Sequence, residues 1–350
     1  MKETKPTRFN FLTVASVLAA LAVVIMHANS FWSYTPGPRW EIANIINCVF
    51  VFAVPVFFMI SGSTLINYSD RYDTKTFFKK RAKKTLIPFL FWSIAALLIH
   101  AFFIKDLPAS SYQPDRAFFS IINTTIVPIY WFFPVLFGIY LCMPLLTSTK
   151  KSTRQATFRY LIIASLIFNS IIPFVIKLAK LPGAMPISVT VTTSSLYYVF
   201  VGYYISHYEI SGRKRAIIYI LGLAALLTAI IGTSINTGQT GVINGFWRGL
   251  DKPTYMLYAP AVFLAIKQLT ERLQLAKHHI IVKFFTFFSR YTFALYLLHW
   301  FILVLLEQTI KPGLHPFVYL PTASVIAVAT SIFATFIIRK IPFIRAVLPD

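Results

Sequence analysis

Long apolar runs, separated by short polar segments rich in lysine and arginine, set the rhythm of the chain. The first run, residues 9–27, reads FNFLTVASVLAALAVVIMH, nineteen residues without a formal charge that close on a histidine. Arg8 precedes it, and Asn29, Phe31 and Trp32 follow. As a helix rising about 1.5 Å per residue it is ~28 Å long, close to the hydrocarbon thickness of a bilayer. Nine further runs occupy residues 42–66, 85–104, 126–146, 160–176, 190–206, 216–235, 253–266, 291–306 and 316–338. This pattern predicts an all-α polytopic membrane protein of ten transmembrane helices, forming one domain over residues 1–350. The eighth run has only fourteen uncharged residues between Lys252 and Lys267, whose ammonium groups can snorkel to opposite interfaces. No internal repeat of the kind that builds many transporters is evident.

Composition sharpens this reading. Hydrophobic residues make up 57% of the chain and charged ones 13%, about half the share of a soluble protein. The first run is too long for a cleaved leader and lacks an A-x-A-like site, so it is expected to be retained. The net charge of +22 raises the question of nucleic acid, and the placement of the charges answers it. With the N-terminus in the cytoplasm, 25 of the 33 basic residues fall in inside segments and 8 in outside loops. Each inside segment then holds at least three and no outside loop more than two, as the positive-inside rule requires. Both termini are therefore expected in the cytoplasm, and no nucleic-acid partner is expected. Cys48 and Cys142 lie inside apolar runs, where neither a disulfide framework nor metal-binding spacing is expected.

Several polar groups interrupt this apolar background. His27 lies near the outer end of the first run, where it either faces headgroups or serves a function. His299 lies about 13 Å into the ninth run, where a titratable ring should face the bundle interior. Glu307 follows two turns later, near the surface, where it reads as an interfacial carboxylate, the alternative being the partner in a His–Glu relay. His100 and His207 fall at span ends and read as interface residues. Arg81 sits among Lys79, Lys80, Lys83 and Lys84, a cluster that can anchor the cytoplasmic end of the third span or hold the phosphates of an acyl-CoA. The outer segment NTGQTGVINGFWRGLDK, residues 236–252, is either a flexible loop or the lining of an outward-facing acceptor site. No nucleophile elbow, P-loop, HExxH or GxGxxG in its proper context is present. Few of the 11 acidic residues lie in spans, which argues against a carboxylate proton relay.

Taken together, five stretches resemble the acyltransferase 3 family of integral membrane acyltransferases. They are ALAVVIMH at the end of the first span and VPVFFMISG in the second. FFKKRAKKTLIPFLFW enters the third, YWFFPVLFGIYLCMPLL forms the fourth, and SRYTFALYLLHWFIL carries Tyr296 and His299. The matches occur in the family's order and cover most of the chain. The resemblance implies transfer of an acyl group, usually acetyl, from cytoplasmic acetyl-CoA to a hydroxyl of an extracytoplasmic or lipid-linked glycan, with no metal. By position, His27 matches the family's essential first-span histidine, His299 its late histidine and Arg81 its basic residue before span three.

An imidazole near pKa 6.5 suits removal of a hydroxyl proton at neutral pH, and could alternatively accept the acyl group itself. Tyr130, Asn47 and Arg81 are candidate donors to the developing oxyanion. The donor-binding set implied is Arg81 with Lys80 and Lys84, together with Ser16. The family usually places an arginine or lysine eleven positions before the first-span histidine, and here that position is Ser16. An acidic residue often lies three earlier, and here it is Thr13. The loss of both charges keeps a second class open, a non-catalytic exporter of a glycan or small solute on the same scaffold. The expected setting is the plasma membrane, with the bilayer and a glycan acceptor as partners and a homo-oligomer compatible with the chain.

Overall fold

The computed structural model describes residues 10–29, 36–104, 108–182, 188–190, 192–310, 315–342 and 344–349. Arg8, Phe9, Phe31 and Trp32 lie outside the described residues. Among those described, every regular element is helical. Eight stretches are long and apolar enough to cross a membrane: Phe11–Ala28, Pro38–Asp70, Thr74–Phe102, Pro128–Ser148, Lys151–Leu178, Gly212–Thr240, Thr292–Thr309 and Phe317–Lys340. The expected sixth and eighth runs are helical as well, Ser194–His207 and Pro253–Arg272. The first of these has only 14 residues, and the second ends in the polar turns KQLTER, so neither meets the length and composition of a full span.

Prolines divide several runs. The second is split into α2 (Pro38–Phe50) and α3 (Ala53–Leu65), because Pro55 has no N–H for the carbonyl of Val51. The hydroxyl of Tyr258 donates to Val49 O across this break, at 2.8 Å. The third run joins α4 (Thr74–Arg81) to α5 (Ile87–Ile99) through widened turns at Ala82–Leu86, just where Pro88 deprives Lys84 of its partner. Asp73 caps α4, and the hydrogen bonds it accepts from Thr76 hold its carboxyl below the usual range. Widened turns at Ile167–Ile171 join α8 (Lys151–Leu166) to α9 (Ile172–Leu178) ahead of Pro173 for the same reason.

Two expected loops are corrected. The outer segment left between the third and fourth runs, residues 105–125, contains α6 (Pro114–Ile122), whose Phe118 and Phe119 are exposed. The segment 236–252 begins inside a helix, since α11 (Gly212–Thr240) continues to Thr240 and stops at Gly241, in the left-handed region that ends helices. The remaining helices are α7 (Phe132–Ser148), α10 (Ser194–His207), α12 (Pro253–Arg272), α13 (His279–Ser289), α14 (Thr292–Thr309) and α15 (Pro316–Lys340).

The bundle is built around α1 (Phe11–Ala28), which touches α2, α3 and each of α12 to α15. Its buried Ala15, Ala19, Ala20 and Ala22 let neighbouring backbones close in, as small residues do between helices in lipid. The tightest crossing is between α3 and α10. A Cβ on Gly62 would lie 2.0 Å from Val199 O, and one on Gly202 would lie 2.1 Å from Met59 O. Only glycine fits at either point. Orphaned carbonyls are filled by tyrosines: Pro260 cannot bond Met256 O, and the Tyr197 hydroxyl reaches it from α10 at 2.8 Å.

Candidate active site

The last turn of α1 carries His27, and the second turn of α14 carries His299. Helix counting put one ring near the outer end of its span and the other near mid-depth. The structure corrects this by setting them at one level, with ring centroids 5.2 Å apart. Nε2 of His299 lies 3.2 Å from Nδ1 of His27. His299 is fully buried, while His27 is partly accessible, with the edge of Trp300 against its ring.

The partners fix where the hydrogens sit. Nδ1 of His299 is 2.7 Å from Leu295 O, and Nδ1 of His27 is 2.9 Å from Val23 O. A carbonyl oxygen only accepts, so both rings carry their hydrogen on Nδ1 when neutral. Nε2 of His299 is then a lone pair, able to accept from the Nδ1–H that His27 shares with Val23. Nε2 of His27 is the remaining ring nitrogen, and among the described residues it has no hydrogen-bond partner. A braced imidazole with one bare nitrogen has the form of a general base held by an orienting group. Both nitrogens of His299 are engaged, so the alternative of a relay to Glu307 gives way to the pairing with His27, and Glu307 is exposed.

A pair of tyrosines fixes α14 against the entry to α7. Tyr130 donates to Leu297 O at 2.9 Å, and Tyr296 donates back to Ile129 O. Phe132 and Phe133 pack on the Tyr296 ring, 5.3 and 5.6 Å away. This clasp commits the Tyr130 hydroxyl hydrogen, which corrects its reading as an oxyanion donor. The amide nitrogen of Asn47 is different: it is buried and has no partner among the described residues.

The proposed donor-binding residues gather elsewhere. The Arg81 guanidinium lies 5.9 Å from the Phe77 ring and 5.8 Å from the Tyr140 ring, with a buried Nε that has no hydrogen-bond partner among the described residues. The Lys80 ammonium caps the Tyr72 ring at 3.8 Å, and Lys84 is exposed. Ten residues of chain separate Tyr140 from Tyr130, so the basic group lies roughly 15 Å along α7 from the clasp. Ser16 is on the His27 face of α1, about 16 Å nearer the helix start, and its hydroxyl is spent on Thr13 O at 2.9 Å. Lys267 of α12 reaches that end of α1, 5.8 Å from the Phe11 ring, but donates to Ile205 O. The structure thus joins His27 to His299 and groups Arg81 with Lys80, while Ser16 belongs to neither set.

Charge counting missed Arg154, which is 2% exposed. It donates to Asn67, Tyr203, Thr147 O and Thr149 O at 2.6 to 3.2 Å. Nothing in its local sequence separates it from neighbouring positive-inside residues. The family model described as an acyltransferase domain matches residues 9–339, nearly the whole chain. No curated protein and no solved structure matches significantly.

Proposed function

The chain belongs to the acyltransferase 3 family of membrane acyltransferases, and from that premise we propose that it moves an acetyl group from acetyl-CoA to a hydroxyl of an extracytoplasmic or lipid-linked glycan. The single observation that carries this reading is the bare Nε2 of His27, backed by His299. In the proposed step Nε2 takes the acceptor's hydroxyl proton as that oxygen bonds to the thioester carbonyl carbon. The imidazolium so formed is stabilised through Nδ1–H by the lone pair on His299. Collapse of the tetrahedral intermediate breaks the carbon–sulfur bond, and the departing thiolate recovers the proton from Nε2. The products are the glycan ester and free CoA.

Buried Asn47 is the side chain best suited to donate to the oxyanion. Arg81, Lys80 and Lys84 suit the donor's phosphates, leaving its flexible arm to cover the distance to the histidines. In this proposal ten helices cross the plasma membrane with both ends in the cytoplasm. The basic group then faces the donor's compartment and the outer end faces the acceptor's.

Ser16 supports a second reading. Because α1 lacks the cation and, among the described residues, Ser16 bonds only within its own helix, an exporter on the same scaffold is the rival. One assay separates them. Purified protein is mixed with acetyl-CoA and candidate glycans, and thioester loss is followed. His27→Ala is expected to lower turnover about 10³-fold, within the usual range for a positioned base, without moving the melting temperature. Equal, slow donor loss by wild type and variant would eliminate the enzyme reading in favour of the exporter.

A further inference from the structure

At the end of the bundle that carries His27, two separate connections meet in an open cleft of about 510 Å³. Lys177 and Lys180 line it from the end of α9, Asn236 from α11, Asn244 and Phe246 from the segment beyond, and Lys252 from the start of α12. Its volume falls in the range of small-molecule sites. The cleft gathers three of the eight basic residues that charge counting leaves in outer loops, where membrane insertion gives no reason for them.

Two of those cations lack an ion pair among the described residues. Lys252 pairs with Asp251 at 2.6 Å, whereas among the described residues no carboxylate pairs with Lys177 or Lys180. Lys180 is also held in the left-handed region, at φ 52°, the position that helix endings usually give to glycine. Residues kept in sparsely populated backbone regions concentrate at functional sites. The cleft has an apolar shelf as well. Asn244 accepts from Phe246 N at 2.8 Å, fixing the turn, and the Phe246 ring rests 4.9 Å from Phe174 and 5.3 Å from Trp247. The Lys177 ammonium lies 5.6 Å from that ring.

Ammonium groups without a carboxylate partner, amides and a partly exposed aromatic ring are the combined requirements of a charged sugar: salt-bridged acid groups, hydrogen-bonded hydroxyls and a stacked ring face. We propose that this cleft binds a glycan bearing carboxylate or phosphate groups. Resting on the acyltransferase reading, this makes the acceptor an anionic polysaccharide or its precursor, gripped away from the hydroxyl that reacts. A lipid headgroup would use the lysines but leave the amides and the ring idle.

The test is direct binding to the full chain in nanodiscs of zwitterionic lipid. The probes are length-matched oligosaccharides: a neutral glucan, an oligouronate and a phosphodiester-linked glycan. At least one anionic probe is expected to bind tenfold or more tightly than the neutral one, and its preference identifies the acid. Lys177→Gln with Lys180→Gln should remove that advantage, Phe246→Ala should weaken both anionic and neutral probes, and Lys283→Gln in α13 should change nothing. Equal affinity for all three probes, or full anionic affinity in the double lysine variant, would overturn the proposal. So would competition of the anionic probe by phosphatidylglycerol in the discs with no effect of Phe246→Ala, which marks a headgroup site. No acyl transfer is needed for any arm: binding without turnover defeats only the enzyme reading, and turnover without anionic preference defeats only the cleft.

Discussion

The histidine pair and the Arg154 nest are both buried polar constellations in a protein that can ill accommodate them, and they differ in what they leave over. Arg154 has five N–H donors, and its four terminal ones are consumed by Asn67, Tyr203, Thr147 O and Thr149 O. It ties the connection between α7 and α8 to α10, and its fifth donor, Nε–H, has no partner among the described residues but is buried out of a ligand's reach. His27 and His299 use three of their four ring nitrogens and keep the fourth bare. Burial and charge alone would rank Arg154 as the better functional candidate. Accessible spare capacity reverses the ranking, because His27 is partly exposed while the one donor Arg154 keeps is sealed inside the fold.

Substitutions can test that contrast. The largest effect is expected from Arg154→Ala, which leaves several buried acceptors without a donor. It should cost about 3 kcal/mol of stability, read by thermal unfolding in detergent, while the folded fraction turns over normally. Normal stability with lost turnover would instead make Arg154 part of the chemistry. Next comes His299→Leu, which keeps most of the side-chain volume but removes the lone pair that receives His27. Turnover should fall between 10- and 100-fold, equivalent to roughly 1.4–2.8 kcal/mol, with little change in melting. A variant as active as wild type would show that His27 works unbraced. Smallest is Tyr130→Phe, which removes one interhelical hydrogen bond. A loss of about 0.6 kcal/mol is expected, together with a modest fall in turnover, and unaltered stability would mean that packing of Phe132 and Phe133 holds α14 alone.

Much of this architecture is readable in the residues. Apolar runs locate the eight described stretches that are long and apolar enough to cross a membrane, and the prolines that break them are visible at Pro55, Pro88 and Pro173. What fills the resulting gaps is not visible, because Tyr258 and Tyr197 reach carbonyls some 209 and 59 residues away. The same is true of the site. His27 and His299 can each be picked out, yet their pairing spans 272 residues. Counting residues from each helix start assumes that the helices begin at one level, and α1 and α14 do not. Tyr130 illustrates the opposite error: residue type suggests a free donor, and only the fold reveals that Leu297 O has already taken its hydrogen.

The tyrosine clasp has one further consequence. Successive residues of an α-helix are turned by about 100°, so a slip of α14 by a single position would swing the His299 ring away from α1 while raising it only ~1.5 Å. Hydrophobic packing scarcely resists such a screw motion, since one apolar side chain in lipid substitutes readily for the next. Two reciprocal bonds at Leu297 O and Ile129 O do resist it, because each has direction and both must break together. The clasp therefore acts as an angular stop, and the aim of the imidazole across the bundle is set by two phenols whose hydroxyls bond elsewhere, the Tyr296 ring lying 6.1 Å from that of His299.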